Sequence, residues 1–257
     1  MNDREYIAEI EGRRSASRAS LRGPTSVLAA VARHELPIGT RARFGSEEHA
    51  DVRLVGAARS VEIESLGDGF LVDGQHIDPG QIELGRYRLR LSHQNYPAVV
   101  VLDAQSPHLG DDVELRWWPV DPRLRIGARL EPDGTRMRIG STASADRDTE
   151  RVGWVPLEID GVAMRVLVTR LLEPGADGMD IYFRDATTGK GSYEVGRYVS
   201  VERDGDEVIV DFNRAYNPSC ALSPYYNCPI PPRENHLSVA IRAGEMAPLV
   251  RSTAAHG

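Results

Sequence analysis

From Ile38 onward the chain alternates apolar and polar residues over short runs divided by turn residues, the period expected of strands with one buried face. RARFG, DVRLV, SVEIES, GFLVDG, QIELG, YRLRLS and AVVVLD lie before Ser106. VELRWWPV, RLRIGARL, VGWVPLEI, AMRVLVTRLL, MDIYFRD, SYEVGRYVSVE, DEVIVDFN and LSVAIRA follow Pro107. In DEVIVDFN the alternation puts Val208, Val210 and Phe212 on one face and Ile209, Asp211 and Asn213 on the other. STASADRDTE, Ser141 to Glu150, is polar and aperiodic and reads as an exposed loop. Helical patterning is confined to the beginning. Asp3 to Ser20 carries a sparse apolar face of Tyr6, Ile7 and Ile10, and Pro24 followed by SVLAAVARH predicts a second short helix with proline near its first turn. The expected fold is mainly β, with antiparallel sandwich or barrel layers and one or two short N-terminal helices on the outside.

These signals divide the chain into an N-terminal helical segment at 1–37, a β subdomain at 38–106, a second at 107–245 and a tail at 246–257. Pro107, Gly110 and two aspartates interrupt the pattern between Ser106 and Asp112, and one continuous domain is the alternative. At 257 residues either arrangement buries a sizeable core. No apolar run approaches the roughly 18 residues of a membrane span, and MNDREYIAEIEGRR has acids and arginines where a secretory signal needs apolar side chains. The expectation is a cytoplasmic protein with no membrane association. A net charge of -7 and a pI near 5.6 speak against nucleic acid as a partner, because that affinity rests on clustered cations. Lys190 is the sole lysine, a bias that fits GC-rich coding better than selection for anion binding.

The connection from Arg214 to Asn235 is longer than the roughly 12 to 15 residues usual within compact domains, and its composition opposes disorder. It holds Tyr216, Tyr225, Tyr226 and both cysteines, with Arg214, Arg233 and Glu234 as its charged residues. Pro218, Pro224, Pro229, Pro231 and Pro232 restrict the backbone, which suits a fixed cover packed on the body. Cys220 and Cys228 have seven residues between them, unlike a redox Cys-x-x-Cys or a zinc knuckle. They read as paired thiols, or as a disulfide adding about 2 to 3 kcal/mol when oxidised. His236 adds no metal site, because no fourth ligand is evident. Neither HExxH, GxGxxG nor GxxxxGK[ST] occurs, TTGKGS reads as a turn around Gly189 and Gly191, and no cofactor is implied.

Phe183 to Val199, FRDATTGKGSYEVGRYV, is the second dense segment. With DFNRAYNPSC, NCPIPPREN and IRAGE it resembles the family of uncharacterised prokaryotic proteins catalogued as domain of unknown function 1684. The shared pattern runs through Phe183, Asp185, Thr187 and Gly189, then Tyr193, Gly196 and Arg197, then Asp211 to Asn213, Ala215 to Pro218 and Cys220. It closes through Cys228, Pro229, Pro231, Pro232, Glu234, Asn235 and Ala243 to Glu245. His236 stands where that family carries arginine. The N-terminal hundred residues resemble it only in outline, and the resemblance implies no activity.

Asp185, Tyr193, Arg197, Asp211, Asn213, Arg214, Tyr216, Asn217, Glu234 and Asn235 fall on or beside strand ends and converge if hairpin and loop cover one sheet edge. One reading is a pocket for a small polar or anionic ligand, with Arg197 or Arg214 as clamp, a carboxylate as general base and Tyr193 or Tyr216 as a wall. Another is a filled hydrogen-bond network without a ligand, in which Asp185 caps the turn, Arg197 pairs with Asp211 and the asparagines tie loop to sheet. A third rests on the rhythm of the N-terminal half, which resembles a forkhead-associated protein-interaction module. There Arg43 would read phosphate, and Asp73-Gly74 replaces that family's Asn-Gly. The sequence names no protein partner.

Overall fold

The computed structural model describes residues 2–95, 97–143, 146–205 and 207–251. The chain is mainly β and its strand pairings are antiparallel except for Phe44–Gly45 beside Val52–Arg53. In the N-terminal half a four-stranded sheet runs Ala30–Glu35, Ala98–Asp103, Tyr87–Ser92, Gly80–Leu84. A five-stranded sheet, Val52–Arg53, Arg41–Gly45, Val61–Ser65, Phe70–Val72, Gln75–Ile77, packs against it over Phe44, Ile63, Phe70, Leu89, Leu91, Val99 and Val101.

The C-terminal half is built on a long hairpin, Arg147–Ile159 with Val162–Leu171, reversed at Asp160 and Gly161, both at positive φ. Asp180–Phe183 and Arg197–Ser200 extend that sheet, and Arg125–Arg129, Glu207–Asp211 and Glu202–Asp204 form a second one. Between them lies a core containing Val155, Val166, Val168, Phe183, Val208, Val210 and Phe212, as the alternation of the last three predicts. Leu249–Arg251, in the region read as a tail, pairs with Asp112–Glu114.

Asp3–Ser20 is helical, closed at its start by a reciprocal Asn2–Glu5 capping box. It lies on the C-terminal half: the Tyr6 hydroxyl donates to Asp211 at 2.7 Å, and the Arg18 guanidinium covers the Trp117 ring at 4.5 Å. The second expected helix is absent. Val27–Ala29 forms one 3-10 turn and Ala30–Glu35 is a strand, because Ala98–Asp103 is apolar at five successive positions and needs a neighbour on this side. That pairing outweighs the helix propensity of the alanines.

Three further expectations are corrected. Within the segment read as an exposed loop, Arg147–Glu150 opens the long hairpin; Arg147 and Thr149 are buried, Arg147 with its charge met by Glu173. Ser144 and Ala145 lie outside the described residues. VELRWWPV contributes strand only at its start, Asp112–Glu114. LSVAIRA alternates in burial as a strand does, with Leu237, Val239, Ile241 and Ala243 inward, but joins no sheet. Among the described residues no helix is long and apolar enough to cross a membrane.

Candidate functional site

Most residues of the shared pattern are used inside the fold, tying extended segments to the body, and Arg197 is the foremost of them. An extended segment such as 237–243 needs partners for its main-chain groups once buried. The backbone of Arg184 and Ala186 provides them at Leu237 and Val239, and from Ile241 onward Arg197 takes over. Its two terminal nitrogens donate to the carbonyls of Ile241 at 2.8 Å, of Glu245 at 3.1 Å and of Ala243, one edge of the extended backbone. Asp185 balances its charge at 3.4 Å and accepts the Ile241 N–H at 2.7 Å. The side-chain pair thus continues from Ile241 the pairing that the backbone of 184–186 begins, with Arg197 only 1% exposed. Gly196 permits the approach: at φ +122° a Cβ there would lie 2.6 Å from the Phe183 carbonyl and 2.7 Å from Pro231 Cγ.

Asn235 does the same work between two strands. Its amide donates to the carbonyls of Leu167 and Tyr182, both at 2.9 Å, and accepts the Leu167 N–H at 2.8 Å, in complete burial. Asp211 meets Tyr6 and, at 3.2 Å, Arg214; the expected Arg197–Asp211 pair is replaced by Arg197–Asp185, because the two residues serve different segments. Asn213 exchanges two hydrogen bonds of 2.8 Å with the Asp121 backbone. Asn217 donates its side-chain amide to Met246 and its backbone N–H to Glu245, each at 2.8 Å. Glu234 pairs with Arg151 at 3.3 Å. Asn213, Arg214 and Tyr216 also border a cavity of about 160 Å³ beneath the N-terminal helix.

The larger cleft, about 350 Å³, opens between the N-terminal sheet and the C-terminal sheet, and of the ten residues expected to hold a ligand Tyr216 lines it. Tyr182 and Tyr198 sit opposite one another on paired strands, and Tyr216 meets Tyr198 in a single bridge on its other side. Their rings meet edge to face, with centroids 4.6 and 5.7 Å apart. The facing wall contributes Arg90, which donates to the Tyr226 hydroxyl and to the Thr25 carbonyl, each at 3.2 Å. No carboxylate among the described residues lies within ion-pair distance of Arg90. Asp180 is likewise without a cation among them: Ser200 donates to it at 2.8 Å and Tyr182 at 3.4 Å, and burial pushes its carboxyl above the usual carboxylate range. Arg147, the other guanidinium in the cleft, is held at 2.7 Å by Glu173.

Cys228 lines this cleft and lies beside Cys220; both are free thiols. The Cys220 N–H points at the Cys228 sulfur at 3.4 Å, and the Tyr193 hydroxyl lies 3.9 Å from the Cys220 sulfur and 3.3 Å from its carbonyl. A hydrogen bond from the Cys228 thiol, aided by those of Tyr193 and Thr142, lowers the Cys220 thiol to about 7 against the opposing effect of burial. Donation to Cys220, with burial, pushes the Cys228 thiol up. Among the described residues no group of three or more His, Cys, Asp or Glu could hold a metal ion.

Tyr182, Tyr198, Asp180 and Arg90 escape a reading by motif. A signal for the first two exists in the alternation itself, since Tyr182 falls opposite Ile181 and Phe183, and Tyr198 opposite Arg197 and Val199, away from the core. Arg90 has none, because its strand lies over a hundred residues from the tyrosine it meets. Arg43, the phosphate reader of the forkhead-like reading, is half exposed among acids, 3.6 Å from Glu47 and 3.8 Å from Glu62.

A family model described as "Protein of unknown function (DUF1684)" matches residues 113–246. Among solved structures, the solution NMR structure of an uncharacterized protein of Haloarcula marismortui is 32% identical, with a TM-score of 0.43, over 51% of this chain and 75% of that one. No curated protein matches.

Proposed function

The chain belongs to the DUF1684 family of proteins of unknown function, and within that frame we propose that its tyrosine-lined cleft binds a small polar molecule carrying an anionic group. The observation that carries this reading is Arg90, a guanidinium in a cleft wall with no carboxylate among the described residues to balance it. A cation in such a place attracts a carboxylate or phosphate, and its planar fork suits either. Tyr182, Tyr198 and Tyr216 supply an aromatic wall for the rest of the ligand, and Asp180 accepts a hydrogen bond from one of its donor groups. A cleft of about 350 Å³ suits a molecule of metabolite size. Asn235, which holds the Tyr182 carbonyl, belongs to this function as a support of the wall.

A thermal-shift panel of inorganic phosphate, sugar phosphates, dicarboxylates and amino acids tests the reading. At least one member should raise Tm by a few degrees, and Arg90→Gln should abolish that shift while leaving the unliganded Tm within about 2 °C of the parent. A panel without effect, or a shift that survives Arg90→Gln, would count against it.

A further inference from the structure

We infer that Cys220 and Cys228 form a redox couple, in which Cys220 attacks a hydroperoxide and Cys228 resolves the product to an intramolecular disulfide. This inference is independent of the ligand of the cleft. It rests first on juxtaposition. Two thiols in one proline-restricted segment meet closely enough for the backbone N–H of one to point at the sulfur of the other at 3.4 Å, while both remain reduced. Pro218 sits two residues before Cys220, and Pro229 follows Cys228 directly, so the segment restrains both thiols where they meet.

The two sulfurs are unequal. Cys220 is half-buried on the 3-10 turn Ser219–Ala221, within reach of the Tyr193 hydroxyl, a neutral donor able to support a thiolate. Cys228 is 6% exposed and packed with Ala29, Val100, Leu102 and Tyr226. Burial of that kind keeps a thiol protonated and unreactive until a partner sulfur beside it becomes electrophilic. The partial cover over Cys220 excludes bulky disulfides and favours a small oxidant, and a hydroperoxide fits.

In the first step the Cys220 thiolate attacks the terminal peroxide oxygen of ROOH. An S–O bond forms, the O–O bond breaks, and RO⁻ leaves to take up a proton as ROH, with Cys220 now a sulfenic acid. In the second, the Cys228 sulfur attacks the Cys220 sulfur. The S–S bond forms and the S–O bond breaks, and hydroxide departs with the Cys228 proton as water. The two thiols have lost two electrons and the peroxide has gained them. An external dithiol returns the pair to the reduced state by thiol–disulfide exchange.

The full chain, reduced and then freed of reductant, is treated with a small excess of hydrogen peroxide. It is alkylated before unfolding and weighed intact. The expected result is a loss of about 2 Da with both thiols disappearing together, reversed by dithiothreitol. With dimedone present, Cys228→Ser should trap a sulfenic acid on Cys220, whereas Cys220→Ser should label at Cys228 about tenfold more slowly or less. Persistence of both thiols, disulfide-linked dimers in place of the internal bond, or equal labelling of the two variants would overturn the assignment. If a serine variant loses its circular dichroism signature, the parent chain's mass and thiol count decide alone.

Discussion

Arg197 shows how far a side chain can be absorbed into a main-chain role. Its terminal nitrogens serve three carbonyls and one carboxylate, and nearly all of it is out of solvent. Replacing it leaves Asp185 as an unpaired buried charge and removes the partners of a buried extended segment. Arg197→Ala should therefore lower the unfolding free energy by about 3 to 5 kcal/mol, read from urea denaturation with unchanged m. Asp180 presents the opposite case. Burial raises its folded-state pKa, so the stability it contributes is present below the unfolded carboxylate value and is lost as pH rises through the folded one. At neutral pH its ionised form is therefore a burden on the fold. Asp180→Asn should melt about 1 to 3 °C higher than the parent at pH 7, with the difference closing below about pH 4; a gap that widens on acidification would contradict the assignment.

Elements of this protein are held together by side chains where strands diverge. Val162–Leu171 and Asp180–Phe183 share one paired position, Thr169 with Asp180, and beyond it the Asn235 amide carries the connection. Asn235→Asp keeps the shape but loses both donors and sets a carboxylate against two carbonyls. It should cost about 3 kcal/mol or more by denaturant titration. This is also where legibility stops. Alternation disclosed most strands, including Val208, Val210 and Phe212, because one face of each meets a core. It identified 237–243 as extended without disclosing that an ion pair takes over its bonding from Ile241 onward, since periodicity carries burial and says nothing of the bonding partner. The same limit made a helix of SVLAAVARH, whose conformation is decided by a strand some seventy residues away. The polar cluster at 183–245 was visible as a group, but the cleft was not: of its wall, Tyr216, Pro218, Tyr226, Cys228 and Pro229 lay in the segment singled out, while Arg90 comes from the other half.

At the scale of the whole molecule, the two halves meet along the strand Ala98–Asp103. Val99 and Val101 enter the N-terminal core, while Val100 and Leu102 pack with Tyr226 and Cys228 of the C-terminal half. The same seam backs the cleft, so one apolar strand supports both a β-sandwich and the wall that carries the thiols. The family model begins at residue 113, past this strand, although the cleft draws Arg90 from before it. Amide hydrogen exchange turns that placement into a timescale. Each side of the strand is paired, with Ala30–Glu35 and with Tyr87–Ser92, and both its faces are covered. No local opening uncovers Val99 to Leu102 without parting both cores. Their amides should exchange only through global unfolding, with protection equal to the denaturant-derived stability, whereas the terminal pair Leu249–Arg251 with Asp112–Glu114 opens far sooner. Faster exchange at Val99 to Leu102 would mean that the halves separate before they unfold, and that the cleft between them can open as a unit.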